Sequence, residues 1–373
     1  MVSFTNNSFL IDKNVLLVRF GGEIGIKSRQ TRRRMVEQLR RNIESFLDQY
    51  PTFKVLEFRD RLLIYFESDL NLNKVSHLIV TSISGISSVS PAFVIEATEK
   101  AIVSKGLDSV INVIQPCSSF AVRVRREGNH PFSSIDIARI LGAKILSTEI
   151  EGIKVDLETP DYQIFLDIRG SLAFIFTEVI KGIDGIPSQT QGTAIALIRP
   201  NFNSILAAWL MKKRGVRVIP VFFRTGKSSE EKFLNHVRSQ FNEDPIIVSI
   251  KGLLVSFKNH SSLCFLCQVF CETMCQKVAN EQKISVIISP TCFNFNNETM
   301  SLEALEFIEE RVLPSVIRPI QFGFFARQGI RMDQLDQIPC CPFREKVSIE
   351  IFNDFNDLGL EKVLSKLEEY SVS

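Results

Sequence analysis

The sequence contains no long hydrophobic run, and its histidines are few. No segment approaches the ~20 consecutive apolar residues that span a bilayer, and the opening residues, MVSFTNNSFL, lack the basic-then-apolar order of a secretory signal. The histidines stand apart from one another and outside any H-E-x-x-H motif: His77, His130, His236 and His260. These absences exclude the common histidine-dependent hydrolases, and we expect a cytoplasmic protein with no membrane partner.

The composition is that of an ordinary globular protein, but its charge is unevenly distributed. The chain has 373 residues, 45% hydrophobic and 23% charged, which suits two or three domains. The net charge is only +2, yet basic residues crowd into one short segment: Lys27, Arg29, Arg32, Arg33, Arg34, Arg40 and Arg41. This segment predicts contact with a polyanion. The alternative is a solvated helix face.

The N-terminal part has the element order of a ferredoxin-like domain. A strand at residues 15–20 is followed by a helix, because apolar residues recur at helical spacing through residues 31–47. A hairpin at residues 55–67, a helix ending near Gly85 and the strand-like segment SSVSPAFVIEA complete the pattern. The whole pattern would occupy roughly the first 85 to 95 residues. We assign to this domain residues 1–73, which precede the second unit.

A second unit is predicted over residues 74–180. Its segment FAVRVRRE, residues 120–127, alternates in and out as a strand does, so Arg123 and Arg125 share one face. Residues 181–193 are rich in Gly, Pro, Ser and Gln, and predict a linker.

From residue 194 the pattern changes to strands alternating with helices, up to residue 345. This alternation predicts an α/β domain with a doubly wound parallel sheet, in which ligands sit beyond the carboxyl ends of the strands. The loop RPNFNS, residues 199–204, directly follows the first strand and so lies at such an end. Residues 346–373 predict a separate C-terminal amphipathic helix.

Several segments, in this order, resemble one family. They are GEIGIKSRQTRRRMVEQLRRNI, FAVRVRREGNHPFSSIDIARILGAKI, KGIDGIPSQTQG, RGVRVIPVFF, LCFLCQVF and IPCCPF. Together they resemble the tRNA 4-thiouridine synthetases, or tRNA sulfurtransferases. The resemblance implies a ferredoxin-like domain, an RNA-binding THUMP domain and an adenine-nucleotide α-hydrolase-like domain. It also implies that ATP adenylates a uracil oxygen in tRNA, after which sulfur displaces the adenylate.

The nucleotide loop departs from the family pattern, which is S-G-G-x-D-S. Here Pro200 offers no N–H group, Asn203 replaces the aspartate, and no glycine occurs between Gly192 and Gly215. Three more family positions also differ: Pro290 stands for a glycine, Val269 for a basic residue, and residues 222–225 for a polar step. We therefore expect a degenerate pyrophosphate loop and lost adenylation, with no binding of ATP and magnesium.

An alternative is a rebuilt ATP site in a working tRNA sulfurtransferase. Arg199 could bind phosphate through its charge, with Asn203 and Ser204 as hydrogen-bonding partners. These three residues are therefore the candidate nucleotide-binding residues.

Four of the eight cysteines lie within residues 264–275, and this clustering favours a reducing compartment and metal or sulfur chemistry. The pair Cys264 and Cys267, with Cys340 or Cys341 further along, resembles the branch of the family without a rhodanese domain. That resemblance implies an iron–sulfur cluster on Cys264, Cys267 and Cys340, with zinc as the alternative, and a catalytic Cys340 or Cys341. Two further cysteines continue the same helical stripe, which predicts core positions for them: Cys271 and Cys275.

The resemblance names tRNA as the expected partner. The candidate RNA-binding residues are Lys27, Arg29, Arg32, Arg33, Arg34, Arg123, Arg125, Arg126, Ser133 and Ser134. A sulfur donor or a catalytic paralogue is a further expected partner, and a homodimer stays open. A third interpretation is an RNA-binding protein that holds zinc and performs no sulfur chemistry.

Overall fold

A computed structural model describes residues 7–58, 60–226, 230–256, 263–290 and 315–319. The chain divides into two compact units, residues 1–184 and 185–373. None of the described helices is both long enough and apolar enough to cross a bilayer.

The first unit is built on one nine-stranded sheet with helices packed against it. Its strands are β1 Asn14–Phe20, β2 Phe53–Phe58, β3 Arg61–Phe66, β4 Ile86–Glu96, β5 Ser119–Glu127, β6 Lys154–Val155, β7 Tyr162–Arg169, β8 Leu172–Phe176 and β9 Ile180–Lys181. Its α-helices are α1 Gly22–Gly25, α2 Arg29–Leu47, α3 Leu72–Ser82, α4 Glu99–Val110 and α5 Ser134–Leu146. The strand order is β2-β3-β1-β4-β8-β7-β5-β6, and β9 pairs with β4. The predicted ferredoxin-like element order is confirmed.

Strand β4 joins the two halves of this sheet. It pairs antiparallel with β1 and, over Phe93–Glu96, antiparallel with β8. The domain boundary predicted between residues 73 and 74 falls inside α3, which packs against β4.

Helix α2 is amphipathic, as its spacing predicts. Its buried residues lie on one stripe: Met35, Val36, Leu39, Ile43, Phe46 and Leu47. The side chain of Ser28 caps its first turn by accepting a hydrogen bond from the Thr31 N–H at 3.4 Å. The basic residues of the helix are therefore left to its other faces.

In the described residues of the second unit, five strands form a parallel sheet, which confirms the predicted doubly wound domain. Its strands are β10 Thr193–Ile198, β11 Arg217–Arg224, β12 Ile246–Ser249, β13 Val286–Ile288 and β14 Ser315–Ile317. Its helices are α6 Phe202–Lys213, α7 Glu230–Phe241, α8 Lys251–Ser256 and α9 Leu263–Glu281. The sheet order is β12-β11-β10-β13-β14. The chain adds strands towards one edge from β10 to β12 and towards the other edge from β13, so the strand order switches between β10 and β13. Ligands bind at such a reversal in open α/β sheets, and the loop after β10 lies there.

The last described strand of this sheet is Ser315–Ile317, and Arg318 follows it. Arg318 is thereby placed at the carboxyl end of β14. Cys340, Cys341 and the predicted C-terminal helix lie outside the described residues.

Candidate functional site

The loop between β10 and α6 is closed by its own hydrogen bonds. Asn201 caps α6, its Oδ1 accepting from the Ser204 N–H at 3.0 Å. The Ser204 hydroxyl donates to the Arg199 carbonyl at 2.6 Å and lies 3.2 Å from the Arg199 N–H, which donates to it. Ser204 is 1% exposed, and Asn203 is exposed. The side chain best suited to a phosphate oxygen is thus used inside the loop.

Arg199 begins a chain of polar contacts across the edge of the sheet. Its Nη2 donates to Gln268 Oε1 at 2.5 Å, and Gln268 Nε2 donates to Glu272 Oε1 at 2.6 Å. Ser289 Oγ donates to the same Glu272 oxygen at 2.6 Å. Arg318 reaches both oxygens of Glu272, at 3.0 and 3.3 Å. We call these five side chains the edge network.

The edge network occupies the place where a ligand would lie. Arg199, Ser289 and Arg318 directly follow the parallel strands β10, β13 and β14, so they meet at the carboxyl edge of the sheet. The Glu272 and Arg318 side chains are 0% and 2% exposed. Such a buried ion pair is stable only when further hydrogen bonds satisfy both charges, and Gln268 and Ser289 supply them on the carboxylate side.

A second carboxylate fills the end of β11. Glu230, 1% exposed, accepts from the Thr225 N–H at 2.8 Å, the Thr225 hydroxyl at 2.5 Å and the Gly226 N–H at 3.1 Å. Gly226 has φ +94°, so the turn presents two successive N–H groups to one anion. An anion-binding turn at the carboxyl edge is therefore occupied by the chain's own side chain.

Three of the other residues that depart from the family pattern lie in the core. Phe222, Phe223 and Val269 are each at most 4% exposed. Arg224 donates to Glu231 at 3.0 Å. The three buried residues pack in the core, and Arg224 forms an ion pair at the surface.

The cysteine stripe on α9 is buried. Cys271 and Cys275 are fully buried in the core of the second unit, as predicted, and Cys267 is 5% exposed. Burial raises the pKa of the Cys271 thiol well above its usual value, and a hydrogen bond with Cys267 adds to the shift. Burial likewise raises the pKa of Cys275, so these two thiols stay protonated.

The described residues do not complete the predicted metal site. Among them, no group of three or more His, Cys, Asp or Glu residues could hold a metal ion. The side chain of Cys264 and all of Cys340 and Cys341 lie outside the described part of the chain. The ligand set Cys264, Cys267 and Cys340 therefore stays a prediction.

The basic N-terminal part of α2 faces solvent. Lys27, Arg29, Arg33 and Arg34 are exposed and Arg32 is half-buried. None of these five forms an ion pair with another described residue, whereas Arg40 is held by Glu37 at 2.9 Å and Glu44 at 2.7 Å. The charge of the first turns of α2 is thus available to a partner.

The second predicted RNA-binding set is divided by the structure. Arg123 and Arg125 are exposed on one face of β5, as predicted. Arg126 is half-buried and belongs to the opposite face of the strand. Ser133 forms a capping box, its hydroxyl donating to Asp136 at 2.6 Å, so its position is explained by the start of α5. Ser134 is half-buried.

Sequence reasoning missed the residues that fill the carboxyl edge: Gln268, Glu272, Ser289, Arg318 and Glu230. One signal was present, because Gln268 and Glu272 are four residues apart in a stretch of α9, residues 263–272, that is otherwise apolar. The other three carry no local signal.

Three protein-family models match consecutive parts of the chain. The ThiI ferredoxin-like domain matches residues 15–90, the THUMP domain residues 97–178, and the thiamine biosynthesis protein ThiI residues 189–321.

Curated relatives carry one description. A probable tRNA sulfurtransferase of Methanothermobacter thermautotrophicus is 31% identical over 304 residues, which are 75% of this chain and 74% of the relative. A probable tRNA sulfurtransferase of Methanosarcina mazei is 35% identical over 231 residues, which are 59% of this chain and 54% of the relative. The chain thus spans about half the length of the Methanosarcina relative that it matches.

Solved structures share the architecture. The crystal structure of PH1313 from Pyrococcus horikoshii is 28% identical with a TM-score of 0.63, covering 83% of this chain and 95% of that one. A 4-thiouridine synthetase–RNA complex with bound ATP is 22% identical with a TM-score of 0.69, covering 96% and 97%. The second likeness establishes the common fold.

Proposed function

Because this chain belongs to the tRNA sulfurtransferase (ThiI) family, we propose that it binds tRNA and has lost ATP-dependent adenylation. The closed loop after β10 carries this proposal. There the Ser204 hydroxyl binds the loop's own backbone, and the Arg199 guanidinium binds Gln268. A pyrophosphate would have to displace both contacts.

The backbone of the loop offers a pyrophosphate little in return. Pro200 has no N–H group, and the N–H groups of Arg199, Asn201 and Ser204 already donate within the loop. Glycine loops bind phosphates because their N–H groups are free and no side chain blocks the approach. Here three N–H groups of the loop are already in use, and no glycine leaves room for a close approach.

Binding of tRNA is supported by the first unit. The THUMP domain match and the exposed basic residues of α2 and β5 lie in the same unit. Arginine and lysine side chains on a rigid surface suit the phosphates of an RNA helix, which is recognised largely by shape and backbone.

Sulfur chemistry would then require a partner. We extend the proposal to a sulfur donor or a catalytic paralogue, and to an iron–sulfur cluster on Cys264, Cys267 and Cys340, with zinc as the alternative. Iron and sulfide analysis of anaerobically purified protein tests the cluster. A content of about one zinc per chain, with no iron, would show that these cysteines hold zinc and not an iron–sulfur cluster.

The competing function is a working tRNA sulfurtransferase, favoured by the charge of Arg199 at the point where the sheet order reverses. The two functions are separated by incubating the protein with tRNA, magnesium ATP and sulfide, and measuring AMP. The proposal predicts no tRNA-dependent AMP. AMP that forms with the wild-type protein and not with Arg199→Ala would establish the competing function.

A further inference from the structure

The first unit encloses a charged cluster that is separate from the basic surface of α2. Arg61 on β3 donates to Asp167 Oδ2 on β7 at 2.6 Å, although β1, β4 and β8 lie between these strands. In a flat sheet the two strands would be about 19 Å apart. The sheet is therefore strongly curved, and its inner face holds Arg19, Arg61, Asp167 and Arg169, which we call the enclosed arginine cluster.

Two of the three arginines occupy both oxygens of the buried carboxylate. Asp167 is 4% exposed; its Oδ2 accepts from Arg61, and its Oδ1 accepts from Arg169 Nε at 2.8 Å. Asp60 and Glu127 also contact these arginines, but both are about half exposed. Positive charge thus exceeds negative charge among the buried groups.

Arg19 is attracted by Asp167 only at longer range than the other two arginines. Its Nη1 donates to the hydroxyls of Ser90 and Ser88 at 3.0 and 3.3 Å, and its guanidinium lies 4.9 Å from the centre of the Phe176 ring. No carboxylate of the described residues forms an ion pair with it. Burial, followed by repulsion from Arg61, lowers the pKa of Arg19 to about 10, which leaves it charged at neutral pH.

Arg61 pairs with Asp60 and Asp167, yet one of its donors is left over. It is 3% exposed, and its Nε has no hydrogen-bond partner among the described residues. A buried cation is costly unless an anion and hydrogen-bond acceptors surround it. An incoming group with a negative charge and several acceptor oxygens would meet this requirement, and a guanidinium matches phosphate oxygens in geometry.

The cluster is continuous with an exposed basic strand. Arg125 on β5 stands in register with Asp167 on β7, and Arg123 lies two residues before it on the same face. The charge of Arg125 also contributes to the lowered pKa of Arg19. Positive charge therefore runs from the enclosed cluster to the surface, which suits an anion that belongs to a longer polyanion.

We propose that the enclosed arginine cluster binds one phosphate group of the RNA backbone, with Arg19 as the principal contact. This inference rests on the proposed tRNA binding of the first unit. It adds a defined phosphate subsite on the inner face of the sheet.

The test is the salt dependence of tRNA affinity for the full chain. Removing one phosphate-binding side chain lowers the slope of log K against log salt by about one unit. We expect this decrease in Arg19→Gln, while Arg19→Lys and the charge-matched control Arg238→Gln on α7 keep the wild-type slope. If Arg19 served only in packing, Arg19→Gln and Arg19→Lys would change tRNA binding alike.

A titration with inorganic phosphate, followed by phosphorus NMR, distinguishes the source of the anion. Phosphate binding that disappears in Arg19→Gln, with an unchanged RNA slope, would assign the site to a free anion and overturn the RNA contact. An unchanged slope and unchanged phosphate binding would overturn the site itself. Wild-type protein that does not bind tRNA would overturn the proposed function, and this inference with it.

Circular dichroism verifies that each variant is folded. Should Arg19→Gln fail to fold, Ser90→Ala replaces it. Removal of the hydroxyl that holds Arg19 Nη1 is expected to weaken tRNA binding several-fold at an unchanged slope, because the charge remains while its position loosens. Unchanged affinity would contradict the proposal.

Discussion

Glu272 is the residue that holds the edge network together. Its carboxylate accepts hydrogen bonds from Gln268, Ser289 and Arg318, and no part of its side chain reaches solvent. Its charge in turn balances that of the buried Arg318.

We predict that Glu272→Gln destabilises the protein by about 3–5 kcal/mol, because it leaves the Arg318 charge buried without its counter-ion. Urea unfolding of the full chain measures the change. Glu231→Gln is the control, since Glu231 is 59% exposed where it pairs with Arg224, and it should cost under ~1 kcal/mol. Equal effects of the two substitutions would show that the edge network adds no stability.

Lys212 predicts a pH dependence of stability. Its Nζ is fully buried and donates to the Gln240 carbonyl at 2.5 Å, and burial lowers the pKa of Lys212 to about 7. Between pH 7 and the pKa of the unfolded chain, about 10.4, the unfolded state binds more protons. Stability contributed by this group therefore rises with pH across that window, by at most about 1.4 kcal/mol per pH unit, and the cost is full below pH 7.

The prediction is tested by urea unfolding at pH 7 and pH 9. The Lys212→Met variant is expected to lose the rise in stability, and the neighbouring Lys213→Met should retain it. The same rise in all three proteins would show that Lys212 is not its source.

The site could be predicted only as far as its loop. Arg199 and Ser204 follow an apolar strand, so their place at the edge of a parallel sheet follows from sequence pattern. Arg318 could not be predicted, because it lies 46 residues from Glu272 and only the pairing of β13 with β14 brings it there.

At the scale of the element, helix α2 separates packing from charge. Its apolar stripe is buried, and the residues that face solvent near its start are basic. The two properties can therefore be changed independently.

We predict that Arg32, Arg33 and Arg34 changed together to Glu weaken tRNA binding and lower its salt slope, while thermal stability changes little. The control reverses three exposed lysines of the second unit: Lys232, Lys277 and Lys283. Filter binding at several salt concentrations measures both variants. An equal loss in the two variants would indicate nonspecific attraction instead of a surface on α2.

Helices and strands could be predicted where their residue pattern repeats over a short segment. The curvature of the sheet could not be predicted. The helical spacing of α2 and the alternation of β5 are visible over a few turns or residues. The contact of Arg61 with Asp167 spans 106 residues of sequence. It depends on the accumulated curvature of the strands between them, which no local pattern encodes.

At the scale of the whole molecule, the two units differ in which charged side chains are available to a ligand. The first unit exposes basic side chains and encloses Arg19, which forms no ion pair with any carboxylate in the described part of the chain. The second unit has the fold of a nucleotide-binding domain, but Glu230, Glu272 and Arg199 occupy its carboxyl edge with internal contacts. We therefore infer retained RNA binding and lost nucleotide binding within one family.

Equilibrium binding of magnesium ATP to anaerobically prepared protein in the presence of tRNA tests this inference most directly. We predict no binding at millimolar ATP, and no change in Arg199→Ala, because the loop donors and Arg199 are already hydrogen-bonded. Micromolar binding that disappears in Arg199→Ala would contradict the inference. It would show that the loop after β10 is a rebuilt ATP site.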